Sequence, residues 1–453
     1  MVRKKKIMLS TTQIILLSFL ATILVGSALL SLPISSASGE SVPYLDALFT
    51  ATTSTCVTGL VTLPTVSTWS VFGQVVILLL IQIGGLGIIT IMSGLMMLLN
   101  RKLGISDHLL IQDAFNLNTM SGLAKFIKNV LFCTLIIEGI GALLYMFVFV
   151  PEFGAKGAWV SVFTSVSAFC NAGIDIISES SLYNYATNPL INLVTSVLII
   201  LGGIGYIVWW DVLRVLKSRK TKTAKFFRHL TLHSKIAITA TFGLIFVGAV
   251  LIFAFEYSNP STIGNMSLID KIQVSIFQSV TTRTAGFASV PQENLTNASS
   301  LVSILLMLIG GSPVGTAGGM KTVTIVVLVC SAIATIKNKN NATLFGRCIS
   351  SSSIRKAVAV SVMFISICFT STILLMAVCK APALDIIYES VSATATVGLS
   401  RNLTSSLNAL GKLVVIVTMY LGRVGPISLA VALGSKNESQ NVISEPTEEI
   451  SIG

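Results

Sequence analysis

Thr53-Ser54-Thr55-Cys56-Val57-Thr58-Gly59-Leu60 decides the fold, because its plan returns three more times. The related stretches are SAFCNAGI at 167–174, TTRTAGFA at 281–288 and TATVGLSR at 394–401. Their glycines, Gly59, Gly173, Gly286 and Gly398, stand 114, 113 and 112 residues apart. A unit of that length is too long for a solenoid repeat, and it has room for two membrane crossings with a loop between them. Four copies of one loop can surround a single axis. Glycine, lacking a Cβ, lets the backbone take conformations closed to other residues and turn carbonyl oxygens toward that axis. Rings of carbonyls facing a narrow axis hold a dehydrated cation in a selectivity filter. The expected oxygen donors are Val57 and Thr58, Asn171 and Ala172, Thr284 and Ala285, and Thr396 and Val397, each pair with its glycine. Because main-chain oxygens do this chemistry, the side chains at these places are free to differ.

The composition fits a membrane protein. Apolar residues make up 53% of the 453 and charged residues 11%, against about 25% charged in an ordinary soluble chain. The net charge of +12 is clustered. Arg3, Lys4, Lys5, Lys6 and Lys436, with the stretches 101–128, 214–235 and 337–356, hold 22 of the 30 Lys and Arg residues. That is a positive-inside pattern, which places both termini and those three loops in the cytoplasm and argues against a nucleic-acid partner. The seven cysteines form no CxxC pair or Cys/His cluster, so neither a disulfide framework nor a zinc site is expected. The run 11–32 behind the basic cluster has the length of a span rather than of a signal peptide.

Each repeat holds two apolar runs near the roughly 20 residues a span requires. They are 11–32 and 70–99, 129–150 and 189–216, 232–255 and 299–336, and 354–378 and 408–433. Between them lie shorter amphipathic pieces, 44–55, 157–169, 268–282 and 383–394, each stopping at a filter glycine. These are too short to cross and read as re-entrant pore helices, tolerable at membrane depth only beside protein or a water-filled pore. Asp46, Asp270 and Asp385 lie near three of their starts, where the helix dipole favours negative charge. The expected architecture is an all-α membrane protein. It has four membrane–pore-loop–membrane repeats around a pseudo-fourfold pore, with eight transmembrane and four re-entrant helices. The repeats are 1–100, 101–217, 218–337 and 338–434, and a cytoplasmic tail occupies 435–453.

Two places in the second runs stand out. Repeat three reads Gly310-Gly311-Ser312-Pro313-Val314-Gly315-Thr316-Ala317-Gly318-Gly319, followed by Met320 and Lys321. Five glycines and a proline make a poor helix. The stretch is either a closely packed kink or a broken helix whose middle lines the pore as a gate. In repeat four, Arg423 lies inside the run, where a charge must find water or a partner. It either faces the pore as a barrier to cations or snorkels to the interface. Glu138 lies within the first run of repeat two, and Arg283 three residues before Gly286; both are expected in structural salt bridges behind the filter rather than in ion binding, with Glu389 as a partner for Arg283. The histidines His108, His229 and His233 have no HExxH or Ser/His/Asp setting, so no enzyme is expected. No nucleotide-binding motif appears. An alternating-access transporter would more often show inverted repeats and paired intramembrane carboxylates.

At TTRTAGF, SATATVGLS, GGSPVGTAGGMKT and LGRVGP the chain resembles the Trk/Ktr/HKT superfamily of potassium transporters, and within it the membrane subunits of Ktr systems. The resemblance implies K⁺ translocation across a bacterial plasma membrane by a homodimer with one pore per protomer. It implies that the four glycines select K⁺, that the broken helix of repeat three is the gate and that Arg423 adds to the barrier. It also implies a separate cytoplasmic ring of RCK subunits (KtrA-like) that carries the nucleotide, this chain having no cofactor beyond its transported K⁺. Members with serine at the first filter position favour Na⁺, whereas this chain has Gly59. Some members are stimulated by Na⁺, and that alternative stays open.

Overall fold

The computed structural model describes residues 11–98, 123–217 and 226–425. The N-terminal basic cluster, most of the 101–128 stretch, Arg219 to Lys225 and the tail 435–453 lie outside them.

The described chain is built from four long helices, each followed by a short one. The pairs are α1 (Thr11–Leu30) with α2 (Tyr44–Thr55), α5 (Leu123–Phe153) with α6 (Ala155–Cys170), α9 (Leu232–Glu256) with α10 (Leu268–Thr281), and α13 (Ser351–Val378) with α14 (Ala383–Ala395). The four long helices are long and apolar enough to cross a membrane. They turn large apolar side chains outward, among them Phe147, Phe246 and Phe369, each more than 60% exposed. The short helices bury hydroxyl-bearing C-terminal halves, although α10 also turns Leu268, Ile269, Ile272 and Ile276 outward. Thr52, Ser54, Ser161, Ser275 and Thr394 donate to the carbonyl four residues back, at 2.6–2.7 Å. Part of the hydroxyl set is thereby satisfied within its own helix, Ser165 and Ser279 donate to carbonyls of the preceding long helices, and Thr55, Thr164 and Ser390 are buried without a partner among the described residues. A polar centre inside an apolar shell is the arrangement a lipid solvent favours.

After each short helix comes a second apolar helix: α3 (Val71–Leu86), α7 (Pro189–Gly203), α11 (Asn297–Leu308) and α15 (Ala409–Val424). Side-chain caps fix their starts, with Ser70, Asn188, Thr296 and Asn408 accepting from backbone N–H groups in the first turn. Each of these four helices packs on the short helix of the next pair, α15 packing back on α2 and so closing a cycle; α3, α7 and α15 also pack on their own short helices, whereas α11 packs on α9.

The runs 70–99 and 189–216 are not continuous helices. The first breaks at Gly87 (φ 85°), between α3 and α4 (Ile88–Leu98). The second bends by 95° before α8 (Tyr206–Lys217), with Gly205 at φ 93°. A third break divides α11 from α12 (Thr322–Ile336), and α15 ends on Gly425 at φ 90°. The all-α expectation also lacks one small element: strands β1 (Thr343–Leu344) and β2 (Arg347–Cys348) form an antiparallel hairpin. Phe345 and Gly346 turn it in the left-handed region, as a two-residue hairpin loop requires.

Candidate functional site

The C-terminal ends of α2, α6, α10 and α14 lead into four loops of one backbone design. Val57, Asn171, Thr284 and Thr396 have φ of 54°, 60°, 67° and 51°. The glycines two residues on have φ of 100°, 65°, 82° and 95°, while Thr58, Ala172, Ala285 and Val397 between them are not left-handed. Alternating handedness turns successive carbonyls to the same side. A non-glycine residue held left-handed costs about 1–2 kcal/mol, so the surroundings must enforce it. They do so through the N–H groups. Thr58, Ala172 and Val397 donate to Thr53, Ser167 and Ser392 at 2.8 Å, and Ala285 to Thr281 at 3.0 Å. Hydroxyls add a second set of pins. Thr53 and Ser392 accept the N–H of Gly59 and Gly398, at 3.0 and 3.1 Å. Ser167 and Thr281 donate to the carbonyls of Ile174 and Phe287, at 2.5 and 2.6 Å.

The four loops meet in a ring. A Cβ placed on Gly59 would stand 2.5 Å from the Ala172 carbonyl oxygen. On Gly173 it would stand 2.5 Å from that of Ala285, on Gly286 2.6 Å from that of Val397, and on Gly398 against that of Thr58. Each glycine therefore faces the carbonyl of the next loop, and the fourth returns to the first. Among the described residues, no donor bonds the carbonyls of Val57, Thr58, Asn171, Ala172, Thr284, Ala285, Thr396 or Val397. Buried carbonyls without donors are rare, and a cation is the partner such a ring fits.

On the side of the loops that follow the ring lies a cavity of about 370 Å³, lined by the four glycines and by Asp175, Glu179 and Glu293. The sequence reading missed these acids, whose spacing follows no motif. Burial pushes the Asp175 carboxyl up to about 6. Arg401 braces this face. It donates to Asp385 at 2.6 Å, to the carbonyls of Gln292 and Glu293 at 2.9 and 3.0 Å, and to Ser300 at 2.7 Å. Asp46 pairs with Lys412, and Asp270 accepts from its cap, Ser267, at 2.6 Å.

A second cavity, of about 310 Å³, lies on the other side of the ring. The break after α11 fills part of that region with irregular backbone from Ile309 to Lys321. This segment is tied to α7 and its break: Ser312 and Thr316 N–H donate to Gly203 and Gly202, at 2.8 and 3.1 Å, and Tyr206 N–H to Val314, at 2.9 Å. Thr316 also reaches the second loop, donating to Phe169 O and Asn171 Oδ1 at 3.1 Å. Arg423 lines this cavity. Its two terminal nitrogens donate to the carbonyls of Thr316 and Gly84 at 2.6 Å. Lys321 lines the same cavity, bonded to Ala317 O at 2.6 Å.

Neither expected salt bridge forms. Glu389 accepts from Ser400 at 2.6 Å and from Thr404, while Arg283 donates to Gly310 O at 3.0 Å and Thr241 O at 3.5 Å. Glu138 accepts from Gln82 at 3.1 Å. Uncharged groups thus partner all three, although the Arg283 Nε–H is buried without an acceptor among the described residues. The described cysteines are free, and among the described residues no His/Cys/Asp/Glu group could hold a metal ion.

Comparison with known proteins places this geometry in context. The family model described as TrkH, cation transport protein, matches residues 4–444. The chain is 38% identical over 442 residues to Ktr system potassium uptake protein B of Bacillus subtilis, covering 97% of this chain and 96% of that one. It is also 38% identical over 458 residues to the potassium/sodium uptake protein NtpJ of Enterococcus hirae, covering 100% and 98%. The crystal structure of the potassium transporter TrkH from Vibrio parahaemolyticus superposes with a TM-score of 0.75 at 17% identity. That match spans 95% of this chain and 86% of the other.

Proposed function

The chain belongs to the TrkH family of cation transport proteins, and from that premise we propose that it is the ion-translocating subunit of a Ktr-type potassium uptake system. The observation that carries this reading is the closed ring of four glycine loops with unbonded carbonyls. Those oxygens replace the hydration shell of K⁺. Four short helices direct their C-terminal ends at the ring, each worth roughly half an elementary negative charge. The acidic cavity is the outer mouth, where Asp175, Glu179 and Glu293 raise the local cation concentration. The opposite cavity is the inner side, and the 309–321 segment with Arg423 closes it. Arg423 opposes a passing cation by its charge and locks the segment by its bond to Thr316.

In this reading the pairs of helices are four membrane–pore-loop–membrane repeats, the termini are cytoplasmic, and the protein is a homodimer in the cell membrane. Opening is controlled by a nucleotide-binding RCK ring docked on the basic cytoplasmic loops. The test is ⁸⁶Rb⁺ uptake into cells lacking other potassium systems, with and without a co-expressed ring subunit. Uptake saturating with K⁺ and raised by the ring supports the proposal, and uptake no greater than in empty cells refutes it. A second reading, in which Na⁺ is coupled to or carried with K⁺, is favoured by the likeness to the potassium/sodium uptake protein. Removing Na⁺ from the same assay separates the two.

A further inference from the structure

Arg283 sits three residues before Gly286, at a position occupied by Cys56, Cys170 and Ala395 in the other three loops. Those residues are small and fully buried. In their repeats the second helix comes directly against the end of the short helix. A Cβ on Gly84, Gly202 or Gly422 would run into the carbonyl of Thr55, Phe169 or Thr394 respectively. The third repeat departs from this plan on both sides. Its second helix has already ended at Leu308, and the long side chain of Arg283 spans the gap.

The guanidinium is buried, its residue only 6% exposed, and it takes part in none of the ion pairs among the described residues. A buried cation without a counter-ion is costly, and a neutral side chain of like size would avoid that cost. What the charge does there is donate to Gly310 O at 3.0 Å and Thr241 O at 3.5 Å. Gly310 lies just past the end of α11, so its carbonyl has no helical donor, and Arg283 supplies one. Gly310 also forms the root of the closing segment. Its N–H donates to Met320 O at 2.9 Å, and Met320 N–H donates to Leu308 O at 3.2 Å. These bonds clip the two ends of the segment together beside the arginine. At its other end Arg283 is continuous with Thr284, the left-handed residue that opens the third loop (φ 67°).

We infer that Arg283 is a positioning residue: a strut that joins the third ring loop to the root of the 309–321 segment, so that each holds the other in place. The inference rests on the reading of the ring as filter and the segment as closure, but its principal test does not require transport. Hydrogen–deuterium exchange is measured over 309–321 in the full-length protein in lipid nanodiscs, for the wild type, Arg283→Gln and Arg283→Lys. Loss of a buried charge-assisted bond should speed exchange of the Gly310 and Met320 amides by about tenfold or more in Arg283→Gln. Arg283→Lys, which can reach one carbonyl but not both, should fall between. In ⁸⁶Rb⁺ uptake, Arg283→Gln should shift the apparent KM for K⁺ severalfold, and shortening 314–318 should abolish that shift. Wild-type exchange over 309–321 in a folded Arg283→Gln protein would overturn the strut. So would a rise spread equally over 232–256 and 297–308, which marks general loosening. If Arg283→Gln does not accumulate, Arg283→Lys decides: faster exchange confined to 309–321 supports the strut, and wild-type exchange overturns it. A wild-type protein that carried no Rb⁺ would refute the transport reading and leave the exchange result to decide this one.

Discussion

Replacing Gly59 by serine puts a side chain where the ring has no room. Its Cβ would lie 2.5 Å from the Ala172 oxygen, 3.2 Å from Gly398 Cα and 3.3 Å from Gly173 Cα. An ordinary contact begins near 3.4 Å, so the second loop must retreat by roughly an ångström or the first must turn away. The backbone adds its own cost, since φ of 100° at Gly59 lies outside the usual left-handed well and strains a side-chain-bearing residue by about 1–3 kcal/mol. At 1.4 kcal/mol per factor of ten, that strain corresponds to roughly 5- to 100-fold in K⁺ affinity or in discrimination against Na⁺. The same reasoning applies to Gly173→Ser, Gly286→Ser and Gly398→Ser, because each glycine faces the next carbonyl. The assay is ⁸⁶Rb⁺ uptake with K⁺ and Na⁺ as competitors, normalised to membrane-inserted protein. Gly243→Ala is the control, since a Cβ there meets nothing within 4 Å and the backbone is unstrained. Four serine variants that accumulate normally and keep wild-type K⁺ and Na⁺ dependence would refute the ring as the selecting element.

Three further outcomes follow from the two cavities and the basic face. Arg423→Ala removes both the charge and the bond to Thr316 O, so K⁺ flux without the ring should rise about tenfold or more; Arg423→Lys should do less, and a loss of flux in a folded Ala variant would point to ion coordination. Asp175, with its carboxyl raised to about 6 by burial, is ionised at neutral pH and protonated below 6; the apparent KM for K⁺ should therefore rise as external pH falls through that value, and Asp175→Asn should flatten the dependence. Neutralising Arg219, Lys220, Lys222 and Lys225 together should weaken co-purification of an RCK ring and its salt sensitivity; cysteine accessibility must show that the loop is still cytoplasmic, and undiminished binding would place the contact elsewhere.

The ring was legible because it depends on backbone conformation that only glycine takes cheaply, and the four glycines keep their spacing while the side chains around them change. The break after Leu308 was legible for a similar reason, since five glycines and a proline within ten residues leave little that can be helix. The breaks at Gly87 and Gly205 were not. Gly84-Gly85-Leu86-Gly87 and Gly202-Gly203-Ile204-Gly205 read as the small residues that let membrane helices pack closely. Gly84 and Gly202 do serve that purpose, against Thr55 and Phe169, and nothing in the pattern sets the third glycine apart. The partners of Glu138, Arg283 and Glu389 were misread because a search for opposite charges overlooks carbonyls, amides and hydroxyls. Gln82 and Gly310 carry no charge that would mark them from a distance in the sequence. Asp175, Glu179 and Glu293 come from two different connections and meet only once the loops are folded around the ring.

The most direct test of the central claim, that four glycine loops form one K⁺-selective pathway, is ⁸⁶Rb⁺ flux into liposomes holding the purified protein and a ring subunit. The account predicts accumulation driven by an outward K⁺ gradient, abolished by millimolar external K⁺ and little affected by the same concentration of Na⁺. Equal displacement by Na⁺, or no flux beyond that of protein-free liposomes, would contradict it.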